Sequence, residues 1–203
     1  MTALDALSAE KLRAELDATI IGCEIIVLHE ITSSNDFVFE RANETTPEGL
    51  VVFAERQTAA RGQRTNTWEA AAGKGLWFSF LLRPKIDIGE SPRLAEWAAR
   101  AIAETISKTF ALPATIKLPN DVVVAGRKVA GVLVEMRAQK NSPHVAIVGI
   151  GVNVNHQPQD FSEELRDRAI SLAIALGREV DRHQLAIAIL RSLDQSYRQI
   201  FLA

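Results

Sequence analysis

The second half of the chain contains a succession of short β-branched segments with few residues between them. They are Thr115–Leu118, Val122–Val124, Val129–Arg137 and Val145–Val154, and the tight turn Ala125-Gly126 joins the second to the third. Strands connected by so few residues cannot cross over a sheet, so they must pair antiparallel. This arrangement constrains the fold to hairpins in a mixed or mostly antiparallel sheet.

Further strands and helices are predicted around these hairpins. Apolar residues recur every three or four positions in two long segments, which is typical of helices packed on a sheet. The helices are expected at Ala9–Leu16, Asp36–Asn43, Arg93–Phe110 and Asp181–Phe201, and additional strands at Glu24–Glu30, Leu50–Ala54 and Leu76–Leu82. We therefore predict an α+β fold with a mixed, mostly antiparallel central sheet. Residues 1–20 form a helical lead-in and residues 21–203 a single domain.

Composition excludes several classes of protein. The chain has 203 residues, and its formal net charge of −2 disfavours binding to nucleic acid, which requires a surplus of Lys and Arg. It contains no apolar run long enough to span a membrane and no signal peptide at its start. A single cysteine, Cys23, cannot form an internal disulfide, which favours the reducing cytoplasm.

Two lysines, a carboxylate and a glycine lie close together on the predicted hairpins. Lys117 and Asp121 flank the bend at Pro119, and Lys128 and Gly131 begin the next long strand. Such a set can neutralise phosphate and carboxylate charge together. The alternative is an ordinary hairpin with solvated lysines.

A loop without apolar periodicity joins two strands between Gln57 and Lys74. Arg61, Gly62 and Gln63 lie in its first half, and Trp68 follows. Backbone amides beside glycine, together with arginine, can enclose an anion, and tryptophan can stack on a flat ring. A solvated basic loop whose tryptophan anchors it to the core explains the same residues.

Two weaker motifs complete the candidate site. Ser33, Ser34 and Asn35 precede a helix, where free amides and hydroxyls bind oxygen-rich groups, although a plain helix cap explains them too. The segment Gly149–Asn155 has two glycines in an apolar strand, which leave room for a neighbouring group, and Asn153 offers a donor and an acceptor. A bulged strand is the alternative. No cluster has the spacing of metal ligands.

Taken together, the motifs resemble the catalytic domain of biotin protein ligases over roughly residues 20–200. The resemblance rests on six motifs in the family's order: Ser33-Ser34-Asn35, the loop from Gln57 to Trp68, the strand from Gly73 to Ser79, Lys117 to Asp121, Lys128 to Glu135, and Gly149 to Asn155. A chance occurrence of all six in this order is very improbable, so the separate alternatives lose most of their weight.

The resemblance implies a two-step reaction. Biotin's carboxylate attacks the α-phosphate of ATP, which is bound with Mg²⁺, and the biotinyl group then passes to a lysine of a biotin carboxyl carrier domain of a carboxylase. By position, Lys128 would hold the carboxylate and α-phosphate, Asp121 would orient Lys128 or the incoming amine, Arg61 would contact the same anions, and Lys117 would supply a second cation. Contacts to biotin or the adenylate would come from Ser33, Ser34, Asn35, Gln57, Gly62, Gln63, Trp68, Gly131 and Asn153.

The chain departs from the family pattern in the loop and at Leu118. Gln63 and Asn66 stand where the family usually has arginines, and Leu118 stands where it has tryptophan. Because glutamine cannot form an ionic clamp, the resemblance predicts weak retention of the adenylate or a slow first step. Synthesis of biotinyl-AMP at an ordinary rate would refute this. Family members also often carry an N-terminal helix-turn-helix and a C-terminal β domain, neither of which is expected in this chain.

Two alternatives remain open at this point. One is a weakened homologue that binds biotin or a carrier protein with little turnover. The other is a lipoate or octanoate transferase of the same superfamily, although the position of Cys23 before the first strand disfavours a cysteine nucleophile. The resemblance also implies a possible homodimer through a sheet edge, no membrane partner and a cytoplasmic location.

Overall fold

The computed structural model describes residues 6–16, 19–63, 68–138 and 144–202. Its helices are α1 (Ala9–Glu15), α2 (Ser34–Arg41), α3 (Ser91–Phe110), α4 (Leu172–Leu176) and α5 (Arg182–Phe201). Its strands are β1 (Glu24–Ile31), β2 (Leu50–Gln57), β3 (Gly75–Leu82), β4 (Ala114–Lys117), β5 (Asp121–Val124), β6 (Arg127–Arg137) and β7 (Val145–Asn153). Single 3₁₀ turns occupy Ile88–Glu90 and Pro158–Asp160.

The seven strands form one sheet in the order β1-β2-β3-β7-β6-β5-β4. Among these strands, β1 and β2 pair parallel and all other neighbours pair antiparallel. The parallel pair follows from the crossover through α2, whereas the tight turn at Ala125 and Gly126 forces β5 and β6 to run antiparallel. Both turn residues have positive φ angles, 49° and 74°, as two-residue hairpin turns require. The predicted α+β class with a mixed, mostly antiparallel sheet is confirmed.

Helices cover the two faces of the sheet unequally. Alternate residues of β3, such as Phe78 and Phe80, pack in the larger core with α3 and α5. Leu81 points to the other face and packs with Val38 of α2 in a smaller core. Every residue of β3 is therefore buried, which explains why its sequence is almost continuously apolar.

Several predicted boundaries differ from the structure. Helix α2 begins two residues earlier than predicted because the Ser33 hydroxyl caps it by accepting the Asp36 backbone N–H at 3.4 Å. Strand β4 ends at Lys117, so the prediction that Leu118 belongs to it is wrong; Leu118 lies in the turn and is 67% exposed. Helix α4 was not predicted because five residues are too few to show a helical period.

A buried ion pair fastens β2 to the C-terminal helix. Arg182 donates to the Glu55 carboxylate at 2.8 Å and to the Gly75 carbonyl at 3.2 Å. Glu55 also accepts the Leu7 backbone N–H at 2.7 Å. These contacts connect the N-terminal segment, the starts of β3 and α5, and the end of β2, from which the candidate site begins.

The lead-in helix contributes to the same core as the rest of the chain, since Leu12 of α1 is fully buried there. The division of the chain at residue 20 stays a prediction. No helix in the described ranges is long and apolar enough to cross a bilayer.

Candidate functional site

A cleft opens on the face of the sheet that carries α2. It encloses about 500 Å³ when the space open to solvent is counted. The start of α2, the loop after β2 and the strands β6 and β7 form it. The lining residues are Ser33, Ser34, Asn35, Gln57, Ala60, Arg61, Gly62, Gln63, Trp68, Asn120, Lys128, Gly131, Val132, Leu133, Gly149, Ile150 and Gly151.

A hydrogen-bonded network runs across the floor of this cleft. The Ser34 backbone N–H donates to Gln57 Oε1 at 2.6 Å, and the hydroxyls of Ser34 and Ser79 lie 2.6 Å apart. Ser79 donates to Asn35 Oδ1 at 2.6 Å, and Asn35 Nδ2 donates to Glu135 Oε2 at 2.6 Å. Because the single proton of Ser79 goes to Asn35, the Ser34 hydroxyl must be the donor to Ser79. The Ser34 oxygen therefore keeps its lone pairs for another donor.

Glycines in β6 and β7 make the close packing above this floor possible. A Cβ atom at Gly149 would lie 2.2 Å from Asn35 Oδ1, and one at Gly151 would lie 2.6 Å from Trp68 Cε2. A Cβ atom at Gly131 would lie 2.9 Å from Trp68 Cζ3. The prediction that these glycines leave room for a neighbouring group is confirmed.

Lys128 and Asp121 meet beside the tryptophan. Lys128 Nζ lies 2.6 Å from Asp121 Oδ1 and 4.9 Å from the centre of the Trp68 ring. The Cε atom of Lys128 lies over Gly131, where a Cβ would approach it to 2.9 Å. The Lys128 ammonium group is thus held over Gly131 by the Asp121 carboxylate and the face of the Trp68 ring.

The backbone of Lys128 is fixed by a segment that the sequence did not indicate. The Lys128 N–H donates to the Arg168 carbonyl at 2.8 Å, and the Ile170 N–H donates to the Lys128 carbonyl at 2.9 Å. Asn153 is buried and its Nδ2 donates to the Ile170 carbonyl at 3.3 Å. Asn153 does not line the cleft; it holds the segment that holds Lys128.

Lys117 is not brought into the cleft. Its backbone lies opposite Asp121 in the β4–β5 pair, but its side chain is exposed and does not line the cavity. The expected convergence of two lysines with Asp121 is therefore found for Lys128 alone. A role for Lys117 at a phosphate stays a prediction.

Arg61 forms a bidentate ion pair at the mouth of the cleft. Its Nη1 and Nη2 donate to the two carboxylate oxygens of Asp36 at 2.6 and 2.7 Å, and Nη2 also lies 3.2 Å from Glu135. The hydrogen bonds from Arg61 lower the pKa of Asp36. Gln63 lines the cleft beside this pair, and Arg64 and Asn66 lie outside the described residues.

Three residues of the site, Asp36, Ser79 and Glu135, were not predicted as functional, although Ser79 and Glu135 end two of the family motifs. Ser79 did give a signal, because it is a small polar residue within an otherwise apolar strand. Asp36 gave none, since an acidic residue in the first turn of a helix is ordinary.

A row of aromatic rings extends from the cleft into the protein. The ring centroids of Trp68 and Trp77 lie 6.1 Å apart, those of Trp77 and His156 5.7 Å, and those of His156 and Phe161 5.0 Å. His156 is buried, and its Nδ1 atom has no hydrogen-bond partner among the described residues. Burial lowers the pKa of His156 to about 4, despite the opposing field of Asp160.

Comparison with known proteins places this chain in a family. Residues 27–153, more than half of the chain, match the biotin/lipoate A/B protein ligase family. The bifunctional ligase/repressor BirA of Bacillus subtilis is 38% identical over 192 residues, which cover 95% of this chain and 59% of that protein. The biotin–[acetyl-CoA-carboxylase] ligase of Mycobacterium tuberculosis is 29% identical over 200 residues, covering 91% of this chain and 72% of that protein.

A solved structure agrees with these sequence matches. The biotin protein ligase of Aquifex aeolicus, in complex with biotin and ATP, superimposes with a TM-score of 0.75 and 30% identity, covering 89% of this chain and 72% of that one. The chain therefore belongs to the biotin/lipoate A/B protein ligase family. It spans about 59% of the Bacillus subtilis relative.

Burial of His156 predicts a stability that depends on pH. The folded protein holds this imidazole neutral down to about pH 4, whereas in the unfolded chain it gains a proton near pH 6.5. The free energy of unfolding should therefore be fully present above pH 6.5 and fall by about 3 kcal/mol as the pH drops to about 4.

His156→Phe should remove this fall, because the ring still packs between Trp77 and Phe161 and has no proton to gain. Urea unfolding of both proteins from pH 7 to pH 4 measures the difference, and the carboxylates common to both cancel in the comparison. Parallel pH profiles would contradict a buried neutral His156.

Proposed function

We propose that this chain is the catalytic part of an ATP-dependent biotin–protein ligase. The observation that carries the proposal is the spacing of two chemically different groups along the same pair of strands. In the β6–β7 register, Leu133 lies opposite Gly149 and Gly131 opposite Gly151. We call each of these cross-strand pairs a row. Asn35 packs on the row of Leu133 and Gly149, and Lys128 packs on the row of Gly131 and Gly151. These rows are two residues apart, roughly 7 Å.

The two ends of the cleft suit the two ends of biotin. A cyclic urea has one carbonyl acceptor and two N–H donors, and an alkyl chain separates it from a carboxylate. Gln57 uses its carbonyl oxygen to accept from Ser34, so its Nε2 amide is the group left to donate to the urea carbonyl. The Ser34 oxygen can accept a urea N–H. Ser33 and Asn35 complete this end, and the Gly131 backbone lies nearby, closer to Lys128.

Lys128 at the other end meets the carboxylate. Its ammonium group would draw the carboxylate and the α-phosphate of ATP together, which lowers the repulsion between two anions. The carboxylate oxygen then attacks the α-phosphorus, and pyrophosphate leaves. Asp121 keeps the ammonium in place. Asn153 supports the Lys128 backbone through the segment 168–170 and through a direct 3.5 Å contact of its Nδ2 with the Lys128 carbonyl.

The second step transfers the acyl group. A lysine amine of a biotin carboxyl carrier domain attacks the acyl carbon of biotinyl-AMP, and AMP leaves. Asp121 lies beside Lys128 and can orient the incoming amine. The amine needs a path to the acyl carbon, and the open side of the cleft supplies one.

ATP brings its own magnesium in this scheme. No group of three His, Cys, Asp or Glu in the described residues could hold a metal ion, so Mg²⁺ would be held by the phosphates. Trp68 offers a ring face for the adenine, and Gly62 and Gln63 offer loop backbone to the phosphates. A cytoplasmic location and a homodimer through a sheet edge belong to the same proposal.

The alternative of a cysteine-dependent acyl transferase has little support. Cys23 is exposed before β1, donates its thiol to the Glu48 carbonyl at 3.2 Å, and does not line the cleft. A weakened homologue that binds biotin without efficient turnover is favoured by one observation, Gln63 at the mouth of the cleft.

Ligand binding tests the substrate class directly. We expect biotin to stabilise the protein by about 2.7 kcal/mol when its concentration is a hundredfold above Kd, and lipoate and octanoate to have little effect. Thermal-shift measurements with each acid, alone and with ATP and Mg²⁺, give the answer. A shift with lipoate or octanoate and none with biotin would refute the proposal.

Replacement of Lys128 tests the charge that drives the first step. Lys128→Met should slow pyrophosphate release from biotin and ATP by about 10- to 100-fold, because a charged hydrogen bond to the reacting anions is lost. Lys108→Met, which removes an exposed lysine paired with Glu104 on α3, is the matched control and should not change the rate. A Lys128→Met variant as fast as the wild type would exclude this role.

Gln63 provides a test of adenylate retention. Gln63→Arg adds a guanidinium at the cleft mouth and should slow the escape of biotinyl-AMP by about 10- to 100-fold. The measurement is release of labelled adenylate in the absence of carrier protein. Gln199→Arg adds the same charge on the exposed end of α5 and serves as control. Equal release from all three proteins would show that Gln63 does not limit retention.

A further inference from the structure

Arg61 is already occupied by two carboxylates before any ligand arrives. Its guanidinium faces Asp36 of α2 in a bidentate arrangement, with contacts of 2.6 and 2.7 Å. Glu135 of β6 adds a second ion pair at 3.2 Å. One cation therefore joins three elements that lie far apart in the sequence, namely α2, β6 and the loop after β2.

This arrangement makes Arg61 a poor anion-binding group. Its charge of +1 faces two charges of −1, so an approaching phosphate or carboxylate meets a net negative cluster. Three of the four contacts involve Nη2 and one involves Nη1, so both terminal nitrogens are engaged. Lys128 faces a single carboxylate among the described residues, that of Asp121.

The cluster is also continuous with the floor of the cleft. Glu135 Oε2 accepts from Asn35 Nδ2 at 2.6 Å, and Asn35 accepts from Ser79. The position of Arg61 is therefore linked to the same network that presents Ser34 and Gln57. The loop is tied at its base too, because the Trp68 N–H donates to the Ala60 carbonyl at 3.0 Å.

We propose that Asp36 and Glu135 are positioning residues that use Arg61 to hold the loop over the biotin end of the cleft. Arg61 in this role orders the backbone at Gly62 and Gln63 and does not bind the reacting anions. This inference rests on the proposed function because it takes biotin as the ligand. The ion pairs that hold the loop do not depend on that function.

The charges are half-exposed, with side-chain exposures of 42% for Arg61 and 44% for Asp36. Ion pairs of this kind contribute little to the overall stability of a protein. Their loss should consequently leave the unfolding transition almost unchanged and act on the loop. An altered loop with an unchanged unfolding transition therefore distinguishes a positioning role from a contribution to the stability of the whole fold.

A double-mutant cycle tests the coupling. Asp36→Asn and Arg61→Gln should each raise the biotin Kd by roughly three- to tenfold, and the double variant should be no worse than Arg61→Gln alone. Calorimetry measures the three values. Additive effects would overturn the proposal, because Asp36 would then act without Arg61. Unchanged binding in Asp36→Asn would overturn it as well.

Proteolysis of the loop gives a readout that does not need biotin. Asp36→Asn should speed cleavage by trypsin after Arg61 and Arg64, detected by mass spectrometry. The matched control is Glu30→Gln, which breaks an exposed pair with Arg56 that lies outside the cleft and should leave the cleavage rate unchanged. Equal cleavage of Asp36→Asn and wild type would overturn the loop contact. If Asp36→Asn is cleaved faster than the wild type but the wild-type protein binds no biotin, the proposed function fails and the positioning of the loop stands.

Discussion

The cleft depends on three glycines, because only a residue without a side chain lets the neighbouring groups approach the sheet so closely. Gly131 and Gly151 lie opposite each other in neighbouring strands, and Gly149 follows two residues along. Asn35, Trp68 and Lys128 approach the sheet so closely at these points that a methyl group would meet them at 2.2 to 2.9 Å. A side chain at any of the three positions would fill the space between the polar floor and the ammonium group. The chemistry of the site is thus built on bare backbone.

The two cations of the cleft are already paired with carboxylates before a ligand enters. Lys128 is paired with Asp121, and Arg61 with Asp36 and Glu135. A ligand anion that binds near Lys128 competes with a single carboxylate, whereas one that binds near Arg61 competes with two. In the function we propose, this asymmetry directs an anion towards Lys128 and leaves Arg61 to its carboxylate partners. The same asymmetry explains how Lys128 can meet the ligand anion while Arg61 positions the loop.

Much of the site could be predicted because its groups lie in short local motifs. Ser33 to Asn35 at a helix start, and Lys128 and Gly131 at a strand start, are close in sequence and keep their relations once the element forms. Lys117 lies opposite Asp121 and shares its face of the sheet, but β4 is an edge strand, and the exposed Lys117 side chain does not line the cleft. Asn153 is buried, does not line the cleft and is bonded to a segment with no recognisable period, so its contact with a ligand stays a prediction.

The sequence by itself determined the hairpins, the long amphipathic helices and the glycine positions, because each depends on residues a few places apart. Only the tertiary structure decided which charges meet. Arg61 lies 25 residues from Asp36 and 74 from Glu135, and Asn35 lies 100 residues from Glu135. Contacts over such separations follow from strand order and register, and a single carboxylate in a sequence gives no sign of the cation that the fold will bring to it.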